Sequence, residues 1–176
     1  MITPLDSDAL IELYDGARRS VFRIELQQSY DWPDEADRIA EWRATGRVSP
    51  SGDAQWQEVA DQIAGGCSNT LLHVIDLPLT DYLRYEFAAY QANNLRSGQD
   101  VRIVLRDADP LLAEIPSEFA LFDDIVVWYR YNLATGVKLG WELDDDPAVL
   151  RACRGYRDVA MEHSKPLLEF IEDLKG

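Results

Sequence analysis

The densest group of polar and aromatic side chains lies in residues 78–87, Pro-Leu-Thr-Asp-Tyr-Leu-Arg-Tyr-Glu-Phe. On a helix, Tyr82 and Glu86 share a face because they stand four residues apart, whereas Arg84 projects elsewhere. The group directly follows an apolar segment, residues 71–77, and α/β sheets commonly bind ligands at the carboxyl ends of such strands. The pattern therefore favours either a ligand site or a helix whose Arg84 and Glu86 form structural ion pairs with neighbours.

Charged side chains on two predicted strands could complete such a site. Arg23 and Glu25 alternate with apolar residues, which predicts that both lie on the outward face of their strand. If Arg23, Arg84 and Arg102 converged, they would bind the carboxylate or phosphate of a small anionic ligand. They could equally neutralise neighbouring acids, and both alternatives stay open. The candidate ligand-binding residues are Arg23, Glu25, Tyr82, Arg84, Glu86 and Arg102.

Residue types that perform catalysis or hold metals form no recognisable motif. The sequence contains none of the patterns GxxxxGK[ST], GxGxxG, GxSxG and HExxH. The two cysteines and the two histidines, His73 and His163, stand apart from one another, so we interpret them as structural side chains. The pair Asp123 and Asp124 could bind Mg²⁺ or Ca²⁺, but a turn is the favoured interpretation. We therefore predict no catalytic residue, no metal site and no cofactor.

The composition predicts an acidic protein of one domain, residues 1–176. The chain has 32 acidic and 17 basic side chains, a net charge of −15 at pH 7. Such a charge repels phosphates and anionic lipids, so we expect no direct contact with nucleic acid or membrane. No apolar run approaches the roughly 18 residues that span a bilayer. Together with an acidic N-terminal segment, these features predict a cytoplasmic protein.

The order of the predicted elements indicates an α/β fold with a mixed β-sheet. Strands are predicted over residues 21–26, 71–77, 101–106, 119–122, 125–131 and 137–143, and helices over 8–17, 33–45, 53–64, 81–96 and from 147 onward, interrupted at Pro166. Strand, helix and strand over 71–106 predict a βαβ unit with parallel pairing. The turn-like residues 132–136 predict a hairpin near the C-terminal end, and helices should flank the sheet.

Four segments resemble an uncharacterised actinobacterial family known only as a domain of unknown function. They are Phe22-Arg23-Ile24-Glu25, residues 78–86, Asp100-Val101-Arg102-Ile103 and Leu121-Phe122-Asp123-Asp124. The resemblance covers nearly the whole chain. Members of that family often occur beside helix-turn-helix regulators, which implies a regulatory partner role by association.

The C-terminal half also resembles a degenerate phospholipase D-like scaffold. In active enzymes of that class, one strand carries His-x-Lys-x-x-x-x-Asp, with histidine as the nucleophile. The corresponding residues here are 116–124, and they contain neither histidine nor lysine. The resemblance therefore implies the fold without the phosphodiester chemistry.

Three functions are compatible with these observations. The favoured one is a non-catalytic regulatory or interaction module that partners a basic helix-turn-helix DNA-binding protein, attracted by the acidic charge. The second is a sensor of a small anionic ligand. The third is a divalent-metal-dependent hydrolase that uses Glu25, Glu86, Asp123 and Asp124 and needs at least two of these carboxylates near one point. A homodimer is possible, since dimers are the commonest soluble oligomers.

Overall fold

A mixed β-sheet of eight strands forms the centre of the computed structural model, which describes residues 1–32 and 35–175. The strands are β1 (Ile2–Leu5), β2 (Ser20–Glu25), β3 (Ser68–Ile75), β4 (Asp100–Leu105), β5 (Glu118–Phe122), β6 (Ile125–Tyr131), β7 (Lys138–Asp144) and β8 (Lys165–Pro166). Their order across the sheet is β1-β7-β6-β5-β2-β3-β4-β8. The neighbours β2, β3 and β4 pair in parallel, and the other neighbours pair antiparallel. The predicted fold class is confirmed.

Seven α-helices accompany the sheet in the described part of the chain. They are α1 (Ser7–Gly16), α2 (Ala36–Thr45), α3 (Ala54–Ala64), α4 (Asp81–Ala92), α5 (Pro110–Ala113), α6 (Pro147–His163) and α7 (Leu167–Asp173). Thr80 caps α4, since its hydroxyl accepts a hydrogen bond from the Leu83 amide. Asp6 caps α1 in the same way and accepts a hydrogen bond from the Ala9 amide. The predicted start of the second helix at Pro33 lies outside the described residues.

Both predicted supersecondary units are present. Strands β3 and β4 are parallel and are joined through α4, with Leu72 opposite Arg102. Strands β6 and β7 form the antiparallel hairpin, with Trp128 opposite Glu142. Strand β2 lies where the two halves of the sheet meet, since it pairs in parallel with β3 and antiparallel with β5.

Helices cover both faces of β2, which changes the environment predicted for its charged residues. Phe22 and Ile24 point to the face covered by α6, where they belong to one core cluster with Ala160. Arg23 and Glu25 point to the opposite face, beneath α1, α3 and α4. The expectation that they face outward is wrong, because Arg23 is only 8% exposed. The alternation of polar and apolar residues along the strand correctly placed the two residues on one face. That face is buried because helices pack against it, which the alternation does not show.

The turn between β5 and β6 is fixed by a carboxylate. Both oxygens of Asp123 are used, because they accept hydrogen bonds from three consecutive backbone amides, those of Arg18, Arg19 and Ser20, at 2.8–3.0 Å. Asp124 instead forms ion pairs with the side chains of Arg19 and Arg154. The interpretation of this pair as a turn agrees with these contacts, and the amides of Arg18 and its neighbours lower the pKa of Asp123.

Replacing Asp123 with alanine is expected to lower the free energy of unfolding by about 1–3 kcal/mol, because three backbone amides lose their acceptor. Asp123 also has φ 53°, a left-handed conformation that alanine adopts less readily. Since the pKa of Asp123 is lowered on folding, its stabilisation exists above the unfolded pKa and is lost as pH falls through the folded value. Urea unfolding of wild type and variant at pH 7 measures the loss of unfolding free energy, and the same experiment at pH 3 measures how much of that loss depends on the ionised carboxylate.

The matched control for this prediction is Asp124→Ala in the same turn. Its ion pairs are exposed, and such pairs contribute at most about 1 kcal/mol. Equal losses for the two variants at pH 7 would contradict the role assigned to the amide contacts of Asp123.

Candidate functional site

A cavity of about 980 Å³ lies between the sheet and helices α1, α3 and α4. Strands β2, β3, β6 and β7 form its base through Arg23, Glu25, Leu71, Tyr129 and Trp141. The remaining sides come from these three helices, from the segment that follows β2, from the first turn of α2 and from residues after α4. A concave space of this size, lined by aromatic side chains and a few charged groups, is typical of small-molecule sites.

A buried ion pair stands at the base of the cavity. Arg23 Nη2 donates a hydrogen bond to Glu118 Oε2 at 2.8 Å, and Arg23 Nε donates to Glu25 Oε1 at 3.2 Å. The Arg23 guanidinium carbon also lies 3.4 Å from the centroid of the Tyr129 ring. Arg23 is thus neutralised by two carboxylates and stacked on an aromatic ring, which gives it a fixed position.

Glu118 accepts more hydrogen bonds than this pair alone supplies. The backbone amides of Leu26 and Gln27 donate to its Oε1 at 3.0 and 3.2 Å, and the Tyr30 hydroxyl donates to the same oxygen at 2.6 Å. Burial raises the pKa of Glu118, while Arg23 acts in the opposite direction. The hydrogen-bond donors to Glu118 belong to β2 and to the segment that follows it. Glu118 therefore fixes the position of the chain at the end of β2.

A second cluster joins two carboxylates to a buried histidine. His73 Nδ1 lies 3.3 Å from Glu86 Oε2 and 3.7 Å from Glu25 Oε2. The Tyr90 hydroxyl donates to Glu25 Oε2 at 2.5 Å and lies 3.0 Å from His73 Nδ1. His73 Nε2 lies 2.8 Å from the Gln27 carbonyl oxygen, which can only accept, so Nε2 carries a proton.

The ionisation of this second cluster differs from that of exposed groups. Burial lowers the pKa of His73, but the charges of Glu86 and Glu25 outweigh it and raise that pKa to about 9. Burial also raises the pKa of Glu86, against the opposing charge of His73. Without a further cation, the cluster therefore shares a proton between an imidazole and two carboxylates.

Aromatic side chains form the wall beside these charged groups. Tyr30 packs edge-to-face against Tyr82 and Tyr131, with ring centroids 5.7 and 5.1 Å apart, and lies 6.5 Å from Trp32. Glu35 stands at this wall, where its carboxylate accepts a hydrogen bond from the Tyr82 hydroxyl at 2.8 Å. Burial raises the pKa of Glu35. We name Tyr30, Trp32, Tyr82 and Tyr131 the aromatic wall.

The charges around the cavity are mainly negative. Among the described residues that line it, the carboxylates are Asp15, Glu25, Glu35, Glu58, Asp61 and Glu86, and the arginines are Arg18, Arg23 and Arg38. One of the arginines, Arg23, is already paired with two carboxylates. The field in the cavity consequently favours cations over anions.

Four of the six candidate residues from the sequence line this cavity, namely Arg23, Glu25, Tyr82 and Glu86. Arg84 does not, because it lies on the exposed side of α4 and pairs with Asp81. Arg102 points to the opposite face of the sheet, where its guanidinium donates to the hydroxyl and carbonyl of Ser164. The three arginines therefore do not converge, and of the two alternatives left open by the sequence, their contacts favour pairing with neighbouring groups.

Several residues of this site were not predicted from the sequence, above all His73, which lies beneath the cavity in contact with Glu25 and Glu86. This residue occupies the middle of an apolar strand, and we interpreted it as structural. Its register explains its position: His73 lies opposite Glu25 on the parallel neighbour β2, so both side chains occupy the same face. A polar residue inside a fully apolar strand was the available signal. Glu118 was missed because it precedes the predicted strand by one residue.

Solved structures with the same fold include a phospholipase D family member and a chromatin protein. The phospholipase D family member Nuc from Salmonella typhimurium aligns with a TM-score of 0.51 and 11% identity, over 94% of this chain and 97% of that one. TrmBL2, an archaeal chromatin protein with a novel mode of DNA binding, aligns with a TM-score of 0.51 and 9% identity over 94% of this chain. At these identities the likeness concerns the fold alone.

These likenesses define the chain as a mixed α/β protein whose fold is similar to that of a phospholipase D family member. The similarity extends over 94% of the chain, further than the C-terminal half to which the sequence resemblance was assigned. The chain corresponds to 53% of the length of TrmBL2.

The chain belongs to DUF6879, a family described as a domain of unknown function, whose family model matches residues 8–172. The resemblance to an uncharacterised domain family is thereby confirmed. No curated protein matches the chain. Within the described residues, no helix is long and apolar enough to cross a membrane.

Proposed function

We propose that the protein is a non-catalytic regulatory module that binds a small organic cation in the cavity beneath α1, α3 and α4. The observation that carries the proposal is the combination of the aromatic wall with a surplus of carboxylates over arginines in the lining. Ammonium and guanidinium groups bind aromatic faces and carboxylates together, and they gain most where water is excluded.

The anionic ligand expected from the sequence is less compatible with this geometry. Its site required Arg23, Arg84 and Arg102 to meet, but only Arg23 lines the cavity. Arg23 is paired with both Glu25 and Glu118, so its single positive charge is already outweighed by two carboxylates. An incoming anion would add a further negative charge beside them, which is unfavourable in a buried site.

The chain itself supplies an example of the proposed contact. Lys138 Nζ lies 4.0 Å from the centroid of the Trp141 ring and 5.1 Å from that of Trp32. Both rings also line the cavity. Two rings that line the cavity thus already accept an ammonium group, which supports the same interaction with a ligand.

We test this proposal on protein freed of metal with EDTA, using spermidine, choline and arginine as cationic probes and citrate and phosphate as anionic ones. At ten times its Kd, a bound cation adds about 1.4 kcal/mol to the free energy of unfolding, which raises Tm by roughly 3–6 °C for a chain of this size. Thermal shift measures this rise, and isothermal titration calorimetry then gives the Kd. The anionic probes are expected to leave Tm unchanged.

Glu35→Gln tests the location of the bound cation, with Glu142→Gln as its control. Glu35 is expected to contribute a charge-assisted contact, and its neutralisation should weaken binding about tenfold. Glu142 on β7 pairs with Arg130 on β6 and does not line the cavity, so its substitution should leave the Kd unchanged. Stabilisation by anions alone, or equal Kd values for the two variants, would contradict the proposal.

A second candidate function is that of an interaction partner for a basic helix-turn-helix regulator in an actinobacterial cytoplasm. It is favoured by the net charge of −15, which attracts basic proteins over a long range. TrmBL2, of which this chain matches about half, binds DNA. Because the present chain is acidic, it would need a separate basic partner to act at DNA. The two functions are compatible, since a ligand-binding domain can control a DNA-binding protein.

The partner proposal is tested by a pull-down from the native host at low salt, repeated at high salt. We expect a basic helix-turn-helix protein that is retained at low salt and released at high salt, because ionic attraction is screened by salt. Recovery of no such protein at either salt concentration would remove this candidate and leave the ligand-binding proposal intact.

A further inference from the structure

We propose that Glu25, His73 and Glu86 form a binding site for a divalent transition-metal ion of the Zn²⁺ or Mn²⁺ type at the base of the cavity. Each residue offers one ligand atom, and the three atoms lie within 4.8 Å of one another. Imidazole nitrogen and carboxylate oxygen are the ligands that such ions take in proteins. This inference goes beyond the binding of an organic cation and does not depend on it.

The separations of the ligand atoms fit one central ion. With metal–ligand bonds of 2.0–2.2 Å, two ligands of a tetrahedral ion stand about 3.4 Å apart. His73 Nδ1 lies 3.3 Å from Glu86 Oε2 and 3.7 Å from Glu25 Oε2. The third separation, between the Glu25 and Glu86 oxygens, is at most 4.8 Å, so rotation of the two carboxylates toward each other would let all three atoms bond one ion.

The hydrogen bonding of the imidazole presents the correct nitrogen to the site. His73 Nε2 donates its proton to the Gln27 carbonyl oxygen, so Nδ1 is the nitrogen whose lone pair faces the two carboxylates in the neutral ring. Histidines that bind metals commonly donate their second ring nitrogen to a backbone carbonyl in this way, which fixes the tautomer and the ring orientation.

One carboxylate oxygen lacks a donor when the imidazole is neutral. With its proton on Nε2, His73 offers no donor to Glu86 Oε2, and this oxygen has no other hydrogen-bond partner among the described residues, although the Glu86 side chain is only 10% exposed. A buried carboxylate oxygen without a partner is costly. Oε2 is the same atom that lies 3.3 Å from His73 Nδ1, so an ion between them would satisfy it.

Charge balance and access also suit a divalent ion. Binding of the ion would displace the proton that the cluster shares and release it to solvent, which leaves His73 neutral. The two charges of Glu25 and Glu86 then equal those of the ion, so the buried group as a whole is uncharged. The Tyr90 hydroxyl would remain a hydrogen-bond donor to Glu25. Because Glu25 and Glu86 line the cavity, three protein ligands leave an open coordination position on that side.

The test uses the untagged full chain, stripped with EDTA and titrated with ZnCl₂, MnCl₂ and MgCl₂ in separate calorimetric experiments without organic ligand. We expect one Zn²⁺ or Mn²⁺ per chain and much weaker Mg²⁺ binding, because Mg²⁺ prefers all-oxygen sites. Glu25→Gln and Glu86→Gln should each weaken binding at least 100-fold. Glu35→Gln, which changes another carboxylate of the same cavity, should shift the Kd less than threefold.

X-ray absorption of the Zn²⁺-loaded wild-type chain decides the case even if a variant fails to fold. It should show a single imidazole among oxygen ligands. The absence of stoichiometric binding, an unchanged Kd for a folded Glu86→Gln chain, an equal loss for Glu35→Gln, or any other number of imidazoles would overturn the proposal. The organic probes are tested on metal-free protein, and the metal ions are tested without organic ligand. Failure of one proposal can therefore be told apart from failure of the other.

Discussion

Replacing Arg23 with methionine is expected to destabilise the fold by about 3–5 kcal/mol, because the substitution leaves a buried carboxylate without its cation. Arg23 is 8% exposed and Glu118 only 1%, so water cannot replace the lost contact. Methionine keeps a long apolar side chain in the place of the arginine stem, which limits the loss of packing. Urea unfolding followed by tryptophan fluorescence and circular dichroism at pH 7 measures the change.

The same variant should show a characteristic dependence on pH. Burial already raises the pKa of Glu118, and removal of Arg23 takes away the charge that opposes this rise. A carboxyl whose pKa is higher in the folded than in the unfolded chain favours folding at low pH and loses that contribution as pH rises. The difference in stability between wild type and Arg23→Met is therefore expected to narrow as the pH falls from 7 toward 5.

Arg130→Met is the matched control on the same sheet. Arg130 forms a 2.7 Å ion pair with Glu142 and lies over the Trp128 ring, but the side chains of the pair are about one-third exposed. Such a pair contributes at most about 1 kcal/mol. The double variant Arg23→Met/Glu118→Gln should recover part of the loss, since it removes the unpaired charge as well. A cost for Arg23→Met as small as that of the control would refute the role of the buried pair.

The elements of this fold that could be predicted from the sequence are those whose pattern is local. The apolar run of β3, the capping hydroxyl of Thr80 and the turn residues before β7 each act within a few positions. Strand β1 was missed because Ile2–Leu5 is mostly exposed and contains a proline. It becomes a strand only through its pairing with β7, where Ile2 lies opposite Asp144, and a local pattern does not contain that partner.

The site was predictable only in part for the same physical reason. Alternation correctly grouped Arg23 with Glu25, and helical spacing grouped Tyr82 with Glu86, since both relations are local. Whether separate elements share a face depends on register. Leu72 lies opposite Arg102 while Leu71 lies opposite Arg23, so the two arginines occupy opposite faces of the sheet.

Gly136→Ala is the second substitution for which we expect a large effect, about 3 kcal/mol in the free energy of unfolding. Gly136 has φ +73°, a conformation that costs an L-residue about 1–2 kcal/mol. A Cβ atom there would lie 2.7 Å from the Ser29 carbonyl oxygen and 3.1 Å from the Asp31 amide nitrogen. Backbone atoms at that distance must move, and such overpacking costs about 1–3 kcal/mol more.

The displaced segment carries Tyr30, which links this glycine to the cavity. Tyr30 belongs to the aromatic wall and donates to Glu118 at 2.6 Å, so a shift of residues 29–31 disturbs both. On the proposed function, Gly136→Ala should therefore weaken the binding of the cationic probe in chains that still fold. Calorimetry at about 15 °C, near the temperature at which globular proteins are typically most stable, measures this second effect.

Gly46→Ala separates the strain of the backbone from the close approach. Gly46 ends α2 with φ +68°, nearly the angle of Gly136, but a Cβ atom there would meet no atom within 4 Å. Its substitution should therefore cost only the conformational part, about 1–2 kcal/mol, and leave the affinity for the probe unchanged. Equal losses of unfolding free energy in the two variants would contradict this prediction. They would mean that residues 29–31 accommodate the added methyl group without loss of stability, and that the cavity wall does not depend on this close contact.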